Sequence, residues 1–342
     1  MRGPAIANPP NPWASSEVEY LDEVPHSPLE LYEDHSKEIL SENKSPDMGF
    51  RWSVNPYRGC MHACAYCYAR PYHEYLSFRA GTDFDTKIVI KREAADLLRR
   101  AFDRRSWRGE RVMFSTVTDC YQPLEASLRL TRACLEVCAE YRNPVGIITK
   151  SVLIERDLDV LTRLAREASL SVTVSLPFLD AAHARAMEPL APSPKRRLLA
   201  IERLAAAGIK VGVNVAPIIP GLNDEALAQV LEAAREAGAC SAAYTLLRLP
   251  GSVKAVFESR LRALLPLRAE RVLHRVRETR GGKLYDARFG VRMQGEGLYA
   301  EQIARLFDIT ARRVGLSDHQ APPEVPHTFR RPERPQAQLS LW

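Results

Sequence analysis

Two kinds of pattern alternate along residues 46–280. Short runs rich in β-branched residues, closed off by Gly, Pro or polar turns, read as strands. Longer stretches whose apolar positions recur every three or four residues read as amphipathic helices. Strands are predicted at 50–54, 112–117, 145–149, 171–176, 210–216 and 242–247, with an accessory strand at 87–90. Helices are predicted at 92–104, 124–141, 157–168, 194–207, 224–237 and 253–278. Gly208 and Gly238 stand where left-handed C-caps are expected, and Asn223 or Asp224 where an N-cap is.

Strands regularly separated by helices predict an α/β fold with a parallel sheet and right-handed crossovers. Six such units suggest a partial (β/α)6 TIM-like barrel with helices on its outer face; an eight-stranded barrel and an open doubly wound sheet satisfy the same alternation. In each, the functional candidates are the residues that follow a strand. Residues 1–45 are rich in Pro, Asn, Ser and Glu without a sustained period and are expected to form an extended or weakly ordered arm. Residues 281–316 read as an extension that packs on the barrel and ends in a helix at 299–314, and 317–342 as a flexible tail.

Composition changes this picture little. With 46% apolar and 26% charged residues, the 342-residue chain has the profile of a soluble globular protein. No apolar run approaches the roughly 20 residues that cross a bilayer, and the N-terminus lacks the basic start and apolar stretch of a signal peptide, so a cytoplasmic location is expected. The net charge of +6 is spread over many helix faces and is a weak pointer to a polyanionic partner. Seven cysteines, an odd number, argue against a disulfide framework. Cys134 and Cys138, four apart on a predicted helix, read as core residues, and Cys240 at the start of a strand as buried.

The other cysteines carry chemistry. Cys60, Cys64 and Cys67 fall in one short loop after the first strand, Asn55-Pro-Tyr-Arg-Gly-Cys-Met-His-Ala-Cys-Ala-Tyr-Cys-Tyr-Ala-Arg70, at spacing C-x3-C-x2-C. Such a loop can wrap three corners of a cubane cluster and leave the fourth iron open. A structural zinc needs four ligands, for which His62 is the local candidate, and inert packing thiols are the remaining reading. The loop, with Tyr66 before its last cysteine, resembles the signature of the radical S-adenosylmethionine (SAM) superfamily, and its flanks resemble the spore photoproduct lyase-like branch. The resemblance implies a 4Fe-4S cluster on Cys60, Cys64 and Cys67 whose unique iron binds SAM. Reductive cleavage then yields a 5'-deoxyadenosyl radical that abstracts hydrogen from substrate, with electrons from a donor such as flavodoxin or ferredoxin.

Polar residues at the later strand ends agree with a cofactor there. They are Thr118, Asp119 and Cys120 after the second strand, Lys150 after the third, Ser175 after the fourth and the turn from Asn214 through Ala216 to Gly221 after the fifth. By the resemblance, Tyr66, Thr118, Lys150, Ser175 and Ala216 fall on SAM-contacting positions, and Asp119 is placed where the methionine ammonium is expected. Spore photoproduct lyase keeps a hydrogen-donating cysteine three residues before this aspartate, where Thr116 stands here, so cleavage by that route is not implied. Tyr66, Tyr68 and Cys120 are the catalytic candidates, Cys120 reading equally well as packing.

The chain ends Gln338-Leu339-Ser340-Leu341-Trp342 after a proline-rich stretch, and this resembles the peptide by which bacterial polymerases and repair proteins grip the DNA sliding clamp. The alternative is that Leu341 and Trp342 fold back on the protein's own surface. Arg330, Arg331 and Arg334 nearby offer phosphate attraction. Together these features point to a radical SAM enzyme that acts on damaged or modified bases in DNA. A radical SAM modifier of a protein or small metabolite, and a non-enzymatic iron-sulfur sensor docked on the clamp, stay open.

Overall fold

The computed structural model describes residues 8–9, 11–13, 28–316 and 327–333. Six strands lie side by side in chain order, all parallel: Trp52–Val54 (β1), Val112–Phe114 (β2), Val145–Thr149 (β3), Leu170–Ser175 (β4), Val211–Ile218 (β5) and Ser241–Leu246 (β6). Leu40–Glu42 adds an antiparallel edge to β1. The order never reverses, so the sheet is not doubly wound, and its two edges are not joined, so the barrel is partial.

The alternation along each strand divides the sheet into two faces. Val145 and Ile147, Val172 and Val174, and Val211, Val213 and Val215 enter the helix-side core. The other face carries small and polar residues. A Cβ on Gly146 would meet the sulfur of Met113 and the Ser171 hydroxyl, and one on Gly212 the hydroxyls of Ser241 and Thr173, so these side chains share the inner, concave surface.

The outer helices are Ala94–Asp103 (α1), Leu130–Glu140 (α2), Leu158–Glu167 (α3), Pro194–Ala206 (α4), Leu227–Glu236 (α5) and Val253–Leu264 (α6). The single helix expected at 124–141 is two, because Arg129 turns left-handed at φ 54° between Glu125–Leu128 and α2. That expected at 253–278 breaks where Pro266 begins a new helix, Pro266–Glu278, as a residue without an N–H can only near a helix start. The short helix Ala181–Met187, started by the Asp180 side chain accepting from His183 N, escaped the sequence pattern. Leu298–Val314 packs on α5, and its Phe307 ring lies 4.7 Å from that of Tyr244 on β6.

The N-terminal arm is extended but not free. Glu30–Glu33 pairs with Lys87–Ile90, which also pairs with Tyr57–Arg58 in a second small sheet beside the cysteine loop. Cys134 and Cys138 are buried in the core. Cys240, expected to be buried, is exposed, because it stands one residue before β6, where the chain is still turning out of Gly238. Among the described residues no helix is long and apolar enough to cross a membrane.

Candidate active site

The cysteine loop is a chain of tight turns at the C-terminal end of β1. Ala63 N donates to Cys60 O at 3.2 Å, Cys67 N to Cys64 O at 3.2 Å and Arg70 N to Cys67 O at 3.2 Å, so the backbone folds back after each cysteine. Gly59 enters the loop at φ +80°, where a Cβ would lie 3.0 Å from Phe84 O and 3.1 Å from the His73 ring. Gly59→Ala is therefore expected to cost about 1–2 kcal/mol, read as a fall of several degrees in the melting midpoint; an unchanged midpoint would show that the loop relaxes.

Arg70 locks the loop from within. Its side chain is fully buried, and all five N–H donors are used: two on Cys64 O, one each on Ala80 O and Gly81 O, and one on Asp85. From outside, Gln122 accepts from Met61 N and donates to Gly59 O, and Ala65 N reaches Met187 O at the end of the short helix. His62 faces Asp119 at 3.4 Å rather than a thiol.

A cubane takes one thiolate on each of three irons, so three thiols in one loop of turns suit its chemistry. Burial pushes the Cys60 thiol well up and that of Cys64 up to about 12, so only a bound metal would hold them as thiolates at neutral pH.

The structure brings several predicted residues into one network. Asp119 accepts from the Thr149 hydroxyl at 2.7 Å and from Lys150 N at 2.8 Å, tying the ends of β2 and β3 together. Burial raises its pKa, but His62 and these donors outweigh that and hold it near 2. The Lys150 ammonium lies 5.6 Å over the Tyr66 ring and 3.9 Å from Glu188. Tyr66 donates its hydroxyl to Glu188, and Arg197 pairs with the other Glu188 oxygen while donating to Ser175 O. Thus Tyr66 and Lys150 meet at a buried carboxylate, Glu188, which Arg197 links to the backbone carbonyl of Ser175.

Other candidates are placed differently. The Thr118 hydroxyl donates to Tyr57 O. Asn214 and Ala216, expected in a turn, lie within β5, which continues to Ile218. Asn223 and Asp224, expected to cap a helix, instead hold the turn that follows: Asn223 accepts from Ile219 N and donates to Pro177 O and Pro217 O, while Asp224 accepts from Gly221 N. Cys120 lies wholly buried in the helix-side core, which supports packing as its role. Tyr68 is 39% exposed, and its hydroxyl donates to Thr116 O.

Glu188 and Arg197 were overlooked for a definite reason. Arg197 shares its helix face with the buried Ala200, Ile201 and Leu204, and a charged residue in the apolar phase is the one local sign that a partner waits inside.

Residues 54–234 match the Radical SAM superfamily. An uncharacterised protein of Mycobacterium bovis is 42% identical over 220 residues, which span 63% of this chain and 65% of that protein. An uncharacterised protein of Methanocaldococcus jannaschii is 30% identical over 199 residues, 58% of this chain and 71% of that one. Among solved structures, spore photoproduct lyase complexed with dinucleoside spore photoproduct superposes with a TM-score of 0.58 at 16% identity, covering 83% of this chain and 78% of the lyase.

Proposed function

Since this chain belongs to the radical SAM superfamily, we propose that it is an enzyme that reductively cleaves SAM at a 4Fe-4S cluster held by Cys60, Cys64 and Cys67 and takes hydrogen from a damaged or modified base in DNA. The carrying observation is the loop of successive turns that sets three thiols beside Lys150 and Tyr66 at the C-terminal mouth of a partial barrel. When bound, the cluster supplies the electron that breaks a bond of SAM to carbon and so makes hydrogen abstraction possible.

The chain's own residues bind and orient. Lys150 offers a point charge to the SAM carboxylate. Burial works against that charge, yet Cys64 and Glu188 hold its pKa above the ordinary value. Ser175 and Ala216, at the next two strand ends, suit the ribose and adenine. Asp119, with its oxygens engaged by Thr149, Lys150 N and His62, acts as a strut that spaces the cysteine loop from β3 and bears on the ammonium only from behind these bonds. Tyr68, exposed at the mouth, is the remaining candidate to face substrate.

The DNA reading is supported by the fold shared with a lyase solved with a dinucleoside lesion and by the net charge of +6. Thr116, whose hydroxyl accepts from Asn55, offers no hydrogen-atom donor, so the reaction proposed is not that lyase's own route. The test is anaerobic: with dithionite, or a donor such as flavodoxin or ferredoxin, 5'-deoxyadenosine release should rise when one class of lesion-bearing DNA is added. Release that responds to a protein or metabolite extract and never to DNA would transfer the substrate to the other class, and a cluster-loaded protein that releases none would leave the sensor reading. The proposed location is the cytoplasm.

Residues 338–342 lie outside the described part of the chain, but their anchor does not. Arg330 N donates to Tyr141 O, the Arg331 guanidinium to the carbonyls of Phe102, Arg104 and Trp107, and Phe329 stacks on Tyr141. Arg331, expected to attract phosphate, is thus a pin. It fixes the tail on the loops that precede β2 and β3, the end of the barrel opposite the cysteine loop. A peptide leaving from there can reach a sliding clamp while the mouth stays open to DNA. Removal of residues 338–342 is expected to weaken clamp binding, measured by fluorescence anisotropy, at least about 10-fold, since apolar anchors at such sites are worth about 2 kcal/mol or more; undiminished binding would return Leu341 and Trp342 to the protein's own surface.

A further inference from the structure

Arg248 lies two residues beyond β6, at the mouth of the barrel, and among the described residues it forms no ion pair. Its guanidinium carbon sits 5.5 Å from the centre of the Tyr68 ring. Nη1 reaches only the Met293 sulfur, at 3.5 Å, and Nε is buried with no hydrogen-bond partner. Asp47, the carboxylate whose charge it senses, is taken by Gly290 N and Arg292. Behind it stands a second guanidinium. Arg280 is fully buried, donates to Val291 O and Leu247 O, and likewise has Nε unpaired. Burial, and then Arg248, lowers the Arg280 pKa to about 10.

Arg70 has Asp85, Arg132 has Asp157 and Asp159, Arg156 has Glu125, and Arg197 has Glu188. Arg111 and Arg260 also keep buried nitrogens without a hydrogen-bond partner, but Arg248 alone of these stands against the Tyr68 ring at the mouth. The two neighbouring guanidiniums repel each other and desolvation adds to that cost, while Asp286 and Glu296, both bonded by Arg288, offset only part of it at Arg280. A thioether is a weak acceptor that an anion displaces easily. An oxyanion would fill the fork with two parallel bonds and offset the repulsion. Tyr68, 39% exposed, lies against the fork and offers the kind of platform on which unpaired bases stack.

We propose that Arg248, seated over Tyr68 with Arg280 behind it, binds a phosphodiester oxyanion of the substrate and so holds the reacting nucleotide over the cysteine loop. This rests on the reading that the substrate is DNA. The SAM carboxylate is the other oxyanion in reach of the mouth; Lys150, over Tyr66, is the cation assigned to it, and Arg248 lies over Tyr68.

The test uses the full-length, cluster-loaded protein, a fluorescent single-stranded oligonucleotide read by anisotropy at several salt concentrations, SAM binding by equilibrium dialysis, and melting with and without inorganic phosphate. Arg248→Gln is expected to weaken oligonucleotide binding about 10-fold and to reduce the slope of log K against log salt by about 0.7, with SAM affinity as in the native chain. Arg248→Lys, which keeps the charge without the fork, should restore the slope but only part of the affinity. Equal affinity and slope in native and Arg248→Gln protein overturn the site and leave the DNA reading standing. A native chain that binds no oligonucleotide, yet is stabilised by phosphate only when Arg248 is present, overturns the DNA reading and keeps the anion site; phosphate stabilisation that ignores Arg248 overturns both. Loss of SAM affinity in Arg248→Gln with oligonucleotide binding intact would assign the fork to the SAM carboxylate instead.

Discussion

Replacing any one of Cys60, Cys64 and Cys67 with alanine is expected to strip the anaerobically reconstituted protein of most of its iron and sulfide and to lower 5'-deoxyadenosine release more than about 100-fold, beyond what losing an outer-shell partner of a metal costs. The three residues are equivalent in this respect because each thiolate takes a different iron. Two of the thiols, buried and pushed far above neutral pH, gain nothing by ionising alone; metal binding and deprotonation come together, so a loop with one thiol fewer loses more than a third of its affinity. Cys134→Ala and Cys240→Ser serve as controls, one in the core and one on the surface. Iron content should be native in both. If a loop variant retains its iron and sulfide, the ligand assignment is wrong, and if Cys134→Ala loses them, the assay is reading stability rather than ligation.

What the amino-acid pattern revealed, and what it hid, divides along the range of the interactions. The six strands were legible because Val and Ile at alternate positions of β3, β4 and β5 face one core, a period visible within five or six residues. The cysteine loop was legible because its ligands are local in the chain. The breaks at Arg129 and Pro266 shortened the expected helices, since periodicity continues across a kink that the backbone does not tolerate. Glu188 was invisible for the opposite reason. Its partner Tyr66 is 122 residues away, and the helix that delivers it spans only seven residues, too few for a period to emerge. Likewise nothing local announces that the carbonyls met by Arg70 belong to Cys64, Ala80 and Gly81, or that Arg248 ends over Tyr68. Chemistry that depends on one chain segment can be read early; chemistry that depends on what the fold sets opposite it cannot.

Glu188→Gln is expected to destabilise the protein by about 3–5 kcal/mol, the usual result of removing one side of a buried ion pair, which lowers the melting midpoint of a chain this long by roughly 4–7 °C. The carboxylate is completely shielded from solvent, and burial alone would raise its pKa; Arg197 and Lys150 reverse this, and the net shift is downward, so it stays ionised. A glutamine there leaves those two cations facing each other without a counter-charge. Arg197→Met should cost a similar amount, because it strands the carboxylate instead. The pair combined as Glu188→Gln with Arg197→Met removes both charges and should recover most of the loss, a coupling that only a double-mutant cycle exposes. Tyr66→Phe, which deletes one donor to Glu188 and no charge, should cost less, about 1–3 kcal/mol. The order of these four variants is the decisive readout. If the losses of the two single replacements simply add, so that the double one melts lower than either, Glu188 and Arg197 stabilise the fold separately. In that case the buried ring does not couple the cysteine loop at Tyr66 to the end of β4 at Ser175, and the two halves of the site are positioned independently.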